Sequence, residues 1–130
     1  MEESTLEQLY CLGKFRGNIM SVVQIPGKWH FIIGEPNDET PLGKMPKGTL
    51  EVTPDKLNAY KERDVDLSIN LRDLKRAYKE TKRGTLMVKI IGRNKQIYTF
   101  MPLSGGSLDK GAMADQFLQA VRKVLPTLPT

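Results

Sequence analysis

Apolar residues recur at helical spacing at the two ends of this chain and at strand spacing between them. At the start, Leu6, Leu9, Tyr10 and Leu12 give residues 4–12 one apolar face. Ser4 or Thr5 can cap that helix, Glu7 stands at capping-box distance from Ser4, and Gly13 can end it. Residues 19–25 and 28–33 are rich in β-branched and aromatic side chains, and Pro26-Gly27 between them has the chemistry of a tight turn. The pair therefore predicts a hairpin. Residues 34–48 hold three prolines and three glycines among polar side chains, which predicts a long loop.

Strand signals then follow in quick succession. Residues 49–53 and 56–60 flank a Pro54-Asp55 turn, residues 61–64 turn again, and residues 65–69 alternate Val65, Leu67 and Ile69 with Asp66 and Ser68. Residues 85–91 and 96–101 flank a hairpin turn at 92–95, and residues 102–106 read as a loop. A terminal helix over 109–125, capped by Ser107 or Asp109, lines up Met113, Phe117, Ala120, Val121, Val124 and Leu125 before Pro126 stops it. Residues 70–83 fit two patterns. Asn70 can cap a helix faced by Leu71, Leu74 and Tyr78, or a short turn at 72–74 can lead into a strand with a basic tip at 81–84.

This order describes a mainly β (α+β) protein: a small antiparallel barrel or sandwich of about seven strands, with a C-terminal capping helix and a short N-terminal helix. At 130 residues it is expected to be a single domain, with the first helix within 1–13, the sheet over 14–103 and the last helix over 107–125. From Gly48 onward the chain resembles the pleckstrin-homology-like superfold, in particular its GRAM and bacterial PH members. The residues that carry the resemblance are Gly48-Thr49-Leu50-Glu51-Val52-Thr53 with Leu57, then Ile69-Asn70-Leu71-Arg72-Asp73-Leu74, then Leu86-Met87-Val88-Lys89-Ile90 with Gln96-Ile97-Tyr98-Thr99-Phe100. The helix around Phe117 and Val121 stands where the closing helix of that group stands. The resemblance implies that 72–74 is only a turn and that 77–80 is extended. It does not extend to the phosphoinositide signature of the group, since Lys28 is the one base near the first turn.

Charge gives this fold a face. Residues 1–70 carry eight bases and eleven acids, a net of −3, whereas residues 71–130 carry twelve bases and four acids, a net of +8. Nine bases fall between positions 72 and 95: Arg72, Lys75, Arg76, Lys79, Lys82, Arg83, Lys89, Arg93 and Lys95. They form a candidate footprint for an anionic partner, against the plainer reading of lysines that keep a small domain in solution. Lys82-Arg83 and Arg93-Asn94-Lys95 are expected to cap neighbouring hairpins and converge at one end of the barrel.

Candidate chemistry beyond charge is sparse. His30 is the one histidine and lies within a strand, where a half-exposed packing role outweighs a general base. Cys11, the one cysteine, fits a small core residue, and with His30 alone beside it no zinc site assembles. Ser104-Gly105-Gly106-Ser107 lacks the spacing and the lysine of a phosphate loop. The expectation is a non-enzymatic binding module without a cofactor, contacting a protein partner or an anionic lipid surface. The alternatives are a nucleic-acid-binding domain that stacks bases on Tyr78 or Tyr98, and, further off, a small enzyme with an unrecognised site. The acidic start, Met1-Glu2-Glu3-Ser4, is unlike a secretory signal, so the expected location is cytoplasmic or at the membrane periphery.

Overall fold

A computed structural model of the chain describes residues 22–35 and 45–128. The predicted helix over 4–12 with Cys11, the start of the first strand and residues 36–44 of the loop lie outside that range.

The described chain forms seven strands and one helix: β1 (Val23–Ile33), β2 (Lys47–Val52), β3 (Lys56–Lys61), β4 (Asp64–Asn70), β5 (Leu74–Lys82), β6 (Thr85–Gly92), β7 (Ile97–Ser104) and α1 (Lys110–Val124). They lie in one antiparallel sheet of order β4-β3-β2-β1-β7-β6-β5. β1 is central and serves two neighbours. Val23, Gln24, Ile25, Trp29 and His30 pair with β2, and Lys28 to Ile33 pair with β7. Inward side chains from both halves of the sheet, including Leu57, Ile69, Val88 and Phe100, share one core with the helix residues Met113, Phe117 and Val121. The mainly β architecture with a C-terminal helix is as the sequence predicts, and it is compatible with a pleckstrin-homology-like fold.

Pro26-Gly27 does not make the predicted hairpin. It is a bulge within β1, where the register to both neighbours shifts. The indole N–H of Trp29 donates to the carbonyl of Pro26 at 3.0 Å. Gly27 takes the positive φ (84°) that a turn also uses. The turn chemistry was therefore legible, but it bends a long strand without ending it, and pairing with β2 resumes at Trp29 and His30. β7 likewise runs on through Pro102, where a loop is predicted. Pro102 pairs with Trp29 and lies beyond the last β6 partner at Phe100, so its missing N–H breaks no bond to β6.

Residues 70–83 are a 3-10 turn, Leu71–Asp73, followed by β5. Leu71, Leu74 and Ala77 are all buried at a spacing of three. That spacing imitates a helix because the 3-10 turn and a register shift between Leu74 and Arg76 each move the inward face by an extra residue.

α1 is capped by Asp109, whose carboxylate accepts from the Ala112 N–H at 2.7 Å, and Arg122 and Lys123 complement the dipole in its last turn. It buries Met113, Ala114, Phe117, Leu118, Ala120 and Val121, while Val124 and Leu125 are half-buried.

A second, smaller buried group lies on the other face of β1, β7 and β6: His30, Thr99, Lys89, Met87 and Met101 with Met45. His30 is buried, not half-exposed, and its Nδ1 sits 3.1 Å from the carbonyl of Met45. The Thr99 hydroxyl donates to Gly34 O at 2.7 Å, and the Phe31 N–H donates to Pro46 O at 2.9 Å. The two described ends of the 34–46 segment are thus fastened to one sheet face.

Candidate anionic-partner site

The nine bases selected from the sequence do not act as one group. The β5–β6 tip and the β6–β7 turn stand at opposite ends of β6, whose eight residues span about 25 Å. Lys82-Arg83 and Arg93-Lys95 therefore do not converge, contrary to the expectation. Lys89 is not a surface base at all. Its side chain is 3% exposed, and its ammonium pairs with the carboxylate of Glu35.

This pair has asymmetric consequences. Glu35 is 49% exposed, and its carboxyl is held below the ordinary range first by the hydrogen bond from Lys89, then by the charges of Lys89 and Lys82. Its contribution to stability is present above the unfolded pKa and is lost as pH falls through the lower folded value. Replacing Glu35 by alanine leaves a buried ammonium without its carboxylate and is expected to cost about 1–3 kcal/mol in urea unfolding. Lys89→Met removes the charge but keeps the volume, and is expected to cost less than about 1 kcal/mol. The reverse ranking would show that Lys89 serves something other than this pair.

Five of the nine bases do come together, along the seam between the outer edge of β5 and the C-terminal half of α1. The Arg93 N–H donates to Asp73 O at 2.8 Å, which draws the β6–β7 turn onto the 3-10 turn. Arg72, Lys75 and Arg93 there line a cleft of about 440 Å³, with Leu71, Leu74, Leu125 and Leu128 as its apolar wall. A second cleft of similar size follows along β5. It is lined by Arg76, Tyr78 and Lys79 and, from α1, Asp115, Leu118, Gln119 and Arg122. The guanidinium of Arg76 lies 4.2 Å from the Tyr78 ring centre, which holds it flat against the strand. Lys79 pairs with Asp115 at 2.7 Å, and both are about half exposed.

Arg122 was missed by the sequence reading because it stands far from the 72–95 cluster in the chain. Its position seven residues after Asp115 on one helix face was the available signal. Lys95 stays exposed on its turn beyond both clefts. Elsewhere, Lys28, Lys47 and Lys61 from the acidic half of the sequence share a cleft of about 590 Å³ with the exposed Leu103.

The outer face of β1–β4 is polar and self-satisfied. The Glu51 carboxylate accepts from Asn58 (3.0 Å), Tyr60 (2.8 Å) and Gln24 (3.1 Å), and the Ser68 hydroxyl donates to Asn58 at 2.7 Å. These bonds, that from Asn58 first, hold the Glu51 carboxyl below its ordinary range, and the same carboxylate pushes the Tyr60 phenol up. Among the described residues there is no cluster of three metal-ligating side chains, and no helix is long and apolar enough to cross a membrane. No protein-family model matches the chain, and no curated protein matches it.

Proposed function

We propose that this chain is a non-enzymatic binding module of the pleckstrin-homology-like type, resembling GRAM and bacterial PH domains, whose β5–α1 seam holds an acid-rich segment of a partner protein. The observation that carries this reading is the composition of the seam. Arg72, Lys75, Arg76, Lys79, Arg93 and Arg122 line two successive clefts in which Asp115 is the one acid. A basic groove with leucine walls suits an extended polypeptide whose carboxylates stand on aliphatic side-chain stems. A membrane surface is favoured less, because the exposed large apolar side chains (Val22, Ile33, Val65 and Leu103) all lie off the seam. Among the described residues, no constellation favours the small enzyme.

The test is a fluorescence titration of a labelled decaglutamate peptide at about 0.15 M salt, where the Debye length is about 8 Å, beside anionic vesicles and a single-stranded oligonucleotide. Reversing Arg72, Lys75, Arg76 and Arg93 to glutamate is expected to weaken peptide binding by about 100-fold, at roughly 0.7 kcal/mol for each exposed charge contact. Reversing Lys82, Arg83 and Lys95 instead should change it by less than about threefold, since those bases lie off the seam. Equal losses from both sets, or binding to vesicles or oligonucleotide in preference to the peptide, would contradict the proposal.

A further inference from the structure

The seam contains its own acid. Asp115 projects from α1 into the second cleft and holds Lys79 at 2.7 Å, with Arg76 and Arg122 lining the same cleft. Without Asp115 this cleft would present three cations in a row. With it, one of the three is already neutralised by the protein itself. Resting on the seam reading above, we infer that Asp115 is a displaceable counter-charge, and that an incoming partner carboxylate takes its place on Lys79.

The physical case lies in the exposure of the pair. Lys79 and Asp115 are 45% and 53% exposed, so their ion pair is of the weakly stabilising surface kind and opens at little cost. Exchanging one carboxylate for another on the same ammonium is close to neutral, so a single acid gains little at Lys79. A segment must also satisfy Arg76 or Arg122 to gain net affinity, and Arg76 is already held in place over Tyr78. Asp115 thereby raises the requirement from one carboxylate to several in series. It makes the seam selective for acid-rich stretches over isolated acids. Asp115 also repels any carboxylate that approaches without reaching Lys79, which sharpens the same distinction.

Titration of the labelled decaglutamate peptide into four proteins tests this: wild type, Asp115→Asn, Lys79→Gln, and the double variant. Asp115→Asn is expected to tighten binding about fivefold, the equivalent of about 1 kcal/mol at an exposed pair. In the Lys79→Gln background that gain should fall to about twofold or less, the part due to repulsion by Asp115 alone, since the rest depends on the coupled pair. Glu62→Gln, which removes the same formal charge at the β3–β4 turn, should leave affinity within about twofold because screening separates it from the seam. Unchanged or weaker binding by Asp115→Asn, or a gain that persists undiminished without Lys79, overturns the inference while the seam reading stands. Failure of the wild type and every variant to bind the peptide overturns both.

Discussion

Phe117→Ala is expected to lower stability by about 3–5 kcal/mol, the range for removing a fully buried aromatic ring. The ring has no exposed surface and sits between two others. Its centre is 5.2 Å from that of Trp29 and 5.2 Å from that of Phe100, edge-to-face in both cases, at 78° and 85°. These three rings tie α1 to β1 and β7, the two strands at the centre of the sheet. Their geometry adds to the loss of buried area. Thermal unfolding should show the midpoint falling by about 10–20 °C for a chain of this size. Leu125→Ala, at the half-buried end of the same face, should cost far less. A Phe117→Ala loss below about 1 kcal/mol would mean that the helix is not a part of the core.

Gly27→Ala carries the next largest effect. Gly27 has φ of 84°, which strains any L side chain, and a Cβ there would lie 2.3 Å from the Ser104 carbonyl oxygen and 2.6 Å from the Met113 methyl. The methyl can move, but the carbonyl belongs to β7 and cannot move without disturbing the ladder. Strain and crowding together are expected to cost about 2–5 kcal/mol. Gly34 separates the two contributions, because its φ is 94° and nothing lies within 4 Å of a Cβ there. Gly34→Ala should therefore show only the conformational part, about 1–2 kcal/mol by urea unfolding. Equal losses at the two positions would refute the close packing assigned to the β1 bulge.

Most of the strands and the terminal helix were legible because alternation and the 3.6-residue stripe report on burial. Leu67 to Ile69 and Met113 to Val121 needed nothing beyond the local pattern, whereas Val65, which continues the same alternation, is exposed. The misreadings share one physical cause. A bulge uses the same residues as a turn and breaks the same periodicity, so Pro26-Gly27 looked like a hairpin and Leu71-Leu74-Tyr78 looked like a helix face. In the second case the order of the surrounding strands corrected the local signal. The candidate site was legible only in part. The sequence reports how many bases a segment carries, but not which side of a sheet they leave from. Lys89 is one residue from the core positions Val88 and Ile90, and alternation alone places it on the opposite face. What sequence does not reveal is that this face is itself covered and that Glu35 waits there. Conversely, Arg122 joins the seam through tertiary packing that no spacing within 72–95 contains.

The most direct test of the seam is amide chemical-shift mapping during titration with the decaglutamate peptide. The largest shifts are expected on Arg72, Lys75, Arg76, Arg93 and the α1 residues from Asp115 to Arg122, with the β1–β4 face around Glu51 and Asn58 unmoved. Shifts centred instead on Lys28, Lys47 and Lys61, or on the Lys82-Arg83 tip, would contradict the seam reading.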